Sequence, residues 1–261
     1  MILEGGPGKS PLQFAVNKQD DFAIVSGTDI VRSRNTNTPL KSLAIIIPKS
    51  PICFYSFDKA NINSAKDWSG KRIALPQNYE VEYYVYAILE NAGLPRESVT
   101  IQLCSSQAEI EKKLIDNEVD IISGYRTNYP ILNESINDKL KTLTLEACGI
   151  TTVGDTLAAK DVLVNQRRSL VRSFVDATIA GWEYAIQEIN EDETLDYVLK
   201  YMPHGSDRKY QKYCLLGITN MIGNDFPHEQ HEHTWAEIKE FLIKYNLADK
   251  DVELFSCFAG Y

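Results

Sequence analysis

Arg72-Ile73-Ala74-Leu75, Val99-Thr100-Ile101-Gln102-Leu103 and Asp120-Ile121-Ile122 are three short apolar runs, and what lies between them decides the fold class. They read as strands, mostly buried on both faces. The spacing predicts a helix over 80–91, closed by Gly93 with Pro95 just beyond it, and a second helix over 108–116. Strand, helix, strand, helix, strand is the signature of an α/β protein with a largely parallel sheet. The block of about 80 residues that contains them, 70–151, is large enough to hold a small core of its own.

The same alternation extends outward. Phe22-Ala23-Ile24-Val25 and Leu43-Ala44-Ile45-Ile46-Ile47 read as strands, and Ser10 followed by Pro11 marks the start of a helix over 11–18. After residue 160 the chain becomes almost wholly helical, with helices expected over 169–189, 191–202, 207–221 and 234–246. Two stretches look like crossings between domains. Lys49-Ser50-Pro51-Ile52-Cys53-Phe54-Tyr55-Ser56 is apolar but carries a proline, which a central strand tolerates poorly. The second, 143–160, has two apolar segments separated by the stretch from Gly149 to Gly154. The organisation expected is therefore one lobe from 1–69 and 152–261, with a helical C-terminal segment, and a second lobe from 70–151. In α/β folds ligands sit outside the carboxyl ends of the strands, here in the cleft between the lobes.

Composition narrows the function classes. The 261 residues are 44% hydrophobic, with 27 basic and 36 acidic side chains and a net charge of −9. No basic block exists, so nucleic acid is not an expected partner. The five cysteines, Cys53, Cys104, Cys148, Cys214 and Cys257, are too far apart for a zinc site and read mostly as small buried hydrophobes. No apolar run approaches a membrane span. No charged leader precedes the first glycine turn, as expected for a cytosolic protein or for a chain lacking its natural beginning.

The polar residues of interest cluster where strands end. Glu4-Gly5-Gly6-Pro7-Gly8-Lys9-Ser10 has the look of a phosphate loop, but Leu3 occupies the position where such a loop needs its first glycine. Gly6, Gly8 and Ser10 are left as a glycine turn into a helix, which either presents backbone N–H groups to a ligand or is a plain tight turn. Ser26-Gly27-Thr28-Asp29 repeats the arrangement, with Asp29 either capping the helix or facing a ligand amine. Asn78, Tyr79 and Glu80 follow the first strand of the second lobe, and Tyr83, Tyr84 and Tyr86 are either core or an aromatic clamp. Gly124-Tyr125-Arg126-Thr127-Asn128 is unusually polar for a connection. His228-Glu229-Gln230-His231-Glu232-His233 spaces its histidines wrongly for the metalloprotease motif and reads as a solvated loop. No catalytic residue, metal site or cofactor is indicated.

Together these residues resemble a known family. Gly5-Gly6-Pro7-Gly8, Asp21-Phe22-Ala23-Ile24, Lys49-Ser50-Pro51 and Asp67-Trp68-Ser69-Gly70-Lys71-Arg72-Ile73-Ala74-Leu75-Pro76 stand in order. Asp120-Ile121-Ile122 leading to Tyr125-Arg126-Thr127-Asn128-Tyr129-Pro130, Gly154-Asp155-Thr156-Leu157 and Gly181-Trp182-Glu183-Tyr184-Ala185 follow. The order is similar to that of the solute-binding proteins of ABC importers for thiamine-pyrimidine precursors, riboflavin and alkanesulfonates. The resemblance implies the two-lobed type II periplasmic-binding-protein fold, hinge closure on a small heteroaromatic solute, a membrane permease as partner, and a periplasmic or lipid-anchored location. The implied ligand residues are Gly6, Gly8, Ser10, Ser26, Thr28, Asp29, Ser50, Asn78, Tyr79, Glu80, Tyr83, Tyr125, Asn128 and Asp155. Two departures are visible. The strand and helix that usually precede the glycine turn are absent, so dimerisation through the exposed first lobe, segment exchange or reduced stability is expected. Fungal pyrimidine-synthase relatives carry a cysteine-rich cluster where this chain has Cys148 alone, which argues against the enzyme branch. The alternative of the same fold is a ligand-sensing domain of a signalling protein.

Overall fold

A computed structural model describes residues 21–77, 81–128, 140–202 and 207–259. In chain order the elements begin β1 Phe22–Ser26, α1 Gly27–Ser33, β2 Leu40–Ile45, β3 Ile52–Phe57, β4 Arg72–Pro76, α2 Val81–Asn91, β5 Thr100–Cys104 and α3 Gln107–Ile115. They continue with β6 Ile121–Tyr125, β7 Leu140–Thr144, β8 Asp155–Lys160, α4 Asp161–Gln166, α5 Arg168–Ala185, α6 Glu191–Tyr201, α7 Arg208–Ile222 and α8 Glu232–Lys244. The expected helix over 11–18 lies outside the described residues.

The chain divides into two compact units, Met1–Ser50 with Thr151–Tyr261 and Pro51–Ile150. Unit 1 holds a three-stranded sheet in the order β1-β8-β2, both pairs antiparallel. Its two faces are covered by different helices. Val25, Ile30 and Val31 pack with Trp235, Ile238 and Leu242, which fixes α1 and α8 on one side. Leu43, Ile46 and Leu157 pack with Val171, Val175 and Ile222 on the other, beneath α5 and the end of α7. Both faces are apolar because both are buried, which removes the alternation an exposed sheet would show.

Unit 2 holds five strands in the order β5-β4-β6-β3-β7. β4 runs parallel to β5 and β6, whereas β3 is antiparallel to β6 and to β7. Helix α2 buries Val81, Tyr84, Val85 and Ile88, and α3 buries Ile110 and Leu114. Ser106 starts α3 by accepting the Glu109 amide at 3.2 Å, the ordinary N-cap arrangement.

Two expectations need correction. Residues 51–69 belong to unit 2 and not to the first lobe, because β3 inserts between β6 and β7 and carries the chain with it. The proline that argued for a crossing stands just before the strand, where it gives up no ladder amide, and its carbonyl accepts the Arg126 amide at 2.9 Å. The boundaries thus fall at 50/51 and 150/151. Second, the sheets are not largely parallel: among the described strands the parallel pairings are confined to β4 with β5 and β6.

Candidate functional site

In unit 1 three pieces of chain meet at the end of β1. Ser26 ends the strand and is the N-cap of α1, its hydroxyl accepting the Asp29 amide at 3.1 Å. The Gly27 amide donates to the carbonyls of Val153 and Gly154 at 3.1 and 3.2 Å. A Cβ on Gly27 would stand 2.6 Å from Val153 Cβ, and one on Gly154 would stand 2.3 Å from the Lys49 carbonyl oxygen. Both glycines are therefore required by close approach of backbones. The Ser50 amide donates to Thr152 Oγ1 at 2.9 Å, which holds the two connecting segments side by side.

The register of β1 against β8 sets Ser26 opposite Asp155. The Asp155 carbonyl accepts the amides of Ile46 and Ile47 at 2.9 and 3.0 Å. Its backbone thus knits β2 to β8, and its side chain is left for other use. Burial pushes the Asp155 carboxyl up to about 6, with the charge of Asp29 adding to the rise. Asp29 is also raised by burial, against the opposing pull of Arg32 and of its hydrogen bonds to the Ser26 hydroxyl and amide. Its side chain is 16% exposed and lies 3.6 Å from an Arg32 guanidinium that is 39% exposed. Among the described residues the Asp155 carboxyl has no hydrogen-bond donor and no cation. Two carboxyls of one sign, with one partly exposed counter-ion beside Asp29 alone, resist ionising together.

Of the two alternatives for Asp29, the capping role falls to Ser26 instead. Ser26 is the N-cap, its hydroxyl taken up by the Asp29 amide, and the Asp29 carboxyl stands beside the Arg32 guanidinium. Thr28 is buried at 2% exposure and its hydroxyl lies 2.8 Å from that of Ser26. Ser50 is buried. Five of the residues singled out from the sequence, Ser26, Thr28, Asp29, Ser50 and Asp155, are placed in unit 1, at the end of β1, the start of α1, the crossing after β2 and the start of β8.

Unit 2 treats its candidates differently. Tyr84 is core, whereas Tyr83 and Tyr86 are half-buried and meet edge to face at 6.5 Å. The Arg96 guanidinium covers the Tyr86 ring at 4.4 Å, so the aromatic cluster is divided between packing and surface. Tyr125 closes β6 and is 43% exposed, its carbonyl accepting the Tyr55 hydroxyl at 2.8 Å. Asn128 ends the short turn Arg126–Asn128. Gly6, Gly8, Ser10, Asn78, Tyr79 and Glu80 lie outside the described residues. A cavity of about 160 Å³ opens in unit 2 between Phe54, Ile62, Trp68 and Leu143, with Asn63 and Lys141 at its edge. None of the residues chosen from the sequence lines it.

The other chemistry-bearing groups are quieter. All five thiols are free, and burial raises every one, Cys53 and Cys148 to about 12. Such thiols are poor sources of thiolate at neutral pH. His231 and His233 are exposed and stacked at 5.5 Å. Among the described residues no group of three or more histidine, cysteine or acidic side chains is placed to hold a metal, and no helix is long and apolar enough to cross a membrane. Sequence reasoning missed Val153, Gly154 and Thr152 as framework, although the run of apolar and glycine residues before Asp155 was the available signal.

The two α/β units have their counterparts in solved structures of periplasmic binding proteins. The E. coli periplasmic aliphatic sulphonate binding protein SsuA superposes with a TM-score of 0.73 at 12% identity, over 99% of this chain and 80% of that one. The desulfurization enzyme DSZB superposes at 0.59 with 16% identity, over 93% and 83%, so the same fold also serves catalysis. The fold is the two-lobed α/β architecture of these binding proteins. In sequence, the riboflavin-binding protein RibY of Chloroflexus aurantiacus is 24% identical over 250 residues, 92% of this chain and 69% of RibY. The profile of the family described as NMT1/THI5 like matches residues 1–191, and the chain belongs to that family.

Proposed function

We propose that this protein is the solute-binding component of an ABC importer, working outside the cytoplasmic membrane and handing a small heteroaromatic solute to a permease. The observation that carries the reading is the Asp29–Asp155 pair. Ionised carboxyls accept hydrogen bonds and donate none, so they suit the exocyclic amino group and ring N–H of a pyrimidine-like solute. Each charge-assisted bond of this kind is worth about 1.5–3 kcal/mol. A thiamine-pyrimidine precursor fits this requirement, and an alkanesulfonate, which is all acceptor and negatively charged, does not. The buried, raised thiols support binding over thiol catalysis. The family membership and the likeness to RibY and SsuA support the transport role.

The test is mass spectrometry of whatever co-purifies, followed by calorimetry with 4-amino-5-hydroxymethyl-2-methylpyrimidine, riboflavin and an alkanesulfonate. Saturable binding of the pyrimidine, recovered chemically unchanged, is expected. Tight binding of the sulfonate alone, or release of a new product, refutes the reading.

A further inference from the structure

The Asp155 carboxyl is unlike the polar groups around it in one respect: the others, the Asp29 carboxyl with its Arg32 included, already have partners. The amides of Gly27, Asp29, Ile46, Ile47 and Ser50 are all committed to partners within unit 1, to carbonyls or to the hydroxyls of Ser26 and Thr152. An anion needs free N–H donors, and at these five positions the fold has spent them. What remains open is the acceptor side. Asp155 has no donor or cation among the described residues, and the Arg32 beside Asp29 is 3.6 Å away and partly exposed. Lys49, on the adjoining segment, is exposed and contributes nothing to the environment of Asp155.

We propose that unit 1 takes its solute by a positively charged, amidinium-like edge, a planar group with two parallel N–H donors, and discriminates against anions of the same shape. This rests on the solute-binding reading and deepens it by fixing the charge class of the solute. The cation supplies both what Asp155 lacks, a donor and a counter-charge, and relieves the repulsion between the two carboxyls. A weakly basic amino-heterocycle meets the requirement by taking up a proton on its ring nitrogen as it binds, the proton coming from solvent.

Three probes with one ring and three charges test this: benzamidine, benzamide and benzenesulfonate, each titrated calorimetrically into the full chain at pH 7.5. Benzamidine is expected to bind about tenfold or more tighter than benzamide, with benzenesulfonate weaker than both. In Asp155→Asn, whose folding is checked by circular dichroism, the benzamidine preference over benzamide should shrink to about threefold or less. A second measurement needs no variant: benzamidine affinity should fall between pH 7.5 and 5, as the Asp155 carboxyl near 6 takes up a proton, and benzenesulfonate affinity should not. Benzenesulfonate binding as tightly as benzamidine, a preference unchanged in Asp155→Asn, or no binding of benzamidine overturns the proposal. The thiamine pyrimidine is run in parallel. Its binding without a charge preference in the probe series sinks this inference and spares the solute reading; the charge order without pyrimidine binding does the reverse.

Discussion

Replacing Asp155 by Asn should make the protein more stable at neutral pH and leave it unchanged in acid. The carboxyl rises from an ordinary 3.8 to about 6 in the folded state, mainly through burial. For an acid raised in this way the folded state holds the proton more tightly than the unfolded state does. The favourable contribution is therefore complete below about pH 4 and is lost as pH climbs through about 6. Above that, the folded protein bears an ionised group in a poorly solvated place. A rise from 3.8 to about 6 corresponds to about 3 kcal/mol between the two limits. Asn keeps the shape and a carbonyl oxygen, and the Asp155 backbone keeps its bonds to Ile46 and Ile47. Urea unfolding of wild type and variant should be followed at pH 4, 5, 6 and 7.5, reading the transition of unit 1. The variant should gain about 3 kcal/mol at pH 7.5, about half as much midway, and next to nothing at pH 4. A difference that is flat with pH, or a variant less stable at pH 7.5, would refute the reasoning. Asp29→Asn should lower the Asp155 midpoint only partly, since burial outranks the Asp29 charge as its cause; carbon-detected NMR titration of the carboxyl reads this directly.

Gly154→Ala should fail to reach the native state or lose several kcal/mol, because its Cβ would meet the Lys49 carbonyl at 2.3 Å and the Ile47 carbonyl at 2.6 Å; soluble yield and thermal melting report it. Ser26→Ala removes the N-cap of α1 and should cost about 1 kcal/mol in chemical denaturation. Tyr125→Ala should weaken pyrimidine binding at least about fivefold without lowering the melting temperature, as an exposed ring can be lost at little cost to the fold. His231→Ala, in an exposed stretch, should change neither, and a loss at His231 alone would place the binding site elsewhere in the molecule.

The parts of the fold legible in the sequence are those where local and tertiary preferences agree. β4 and β6 were readable because strands covered on both faces are apolar runs, β5 by its apolar run although it is a partly exposed edge, and α2 because Gly93 and Pro95 punctuate its end. β3 was not, since Pro51 is a breaker only when it stands inside the ladder, and the sequence does not say that it stands outside. β7 was hidden for a different reason: Leu140-Lys141-Thr142-Leu143-Thr144 is a partly exposed edge with a weak pattern. β8 opens on a charged residue, Asp155, which disguised a strand as a crossing. The candidate site was legible as a set of residue types at strand ends. Its central feature was not. Asp29 and Asp155 are brought into electrostatic contact by the antiparallel register of Ser26 with Asp155, a long-range fact with no local sequence signature.

The same two carboxyls pose an energetic question that the fold by itself does not answer. The backbone of Asp155 holds β2 to β8, and Ser26 alone caps α1, so neither carboxyl of the pair is needed to build unit 1. Asp155 in particular costs stability above pH 6 and is given no donor in return among the described residues. A ligand that binds only the folded state offsets such a cost by mass action, about 2.7 kcal/mol when present at a hundred times its dissociation constant. That is close to the roughly 3 kcal/mol attached to the buried charge. The order of stabilities should consequently depend on the ligand. Without it, Asp155→Asn melts above the wild type at pH 7.5. With benzamidine at a hundred times the wild-type dissociation constant, the wild type gains and the variant gains much less, so the two should converge or cross in a thermal-shift titration. A gap that stayed the same at every benzamidine concentration would mean that the carboxylate is not offset by a bound cation, and the positive charge assigned to the solute would have to be given up.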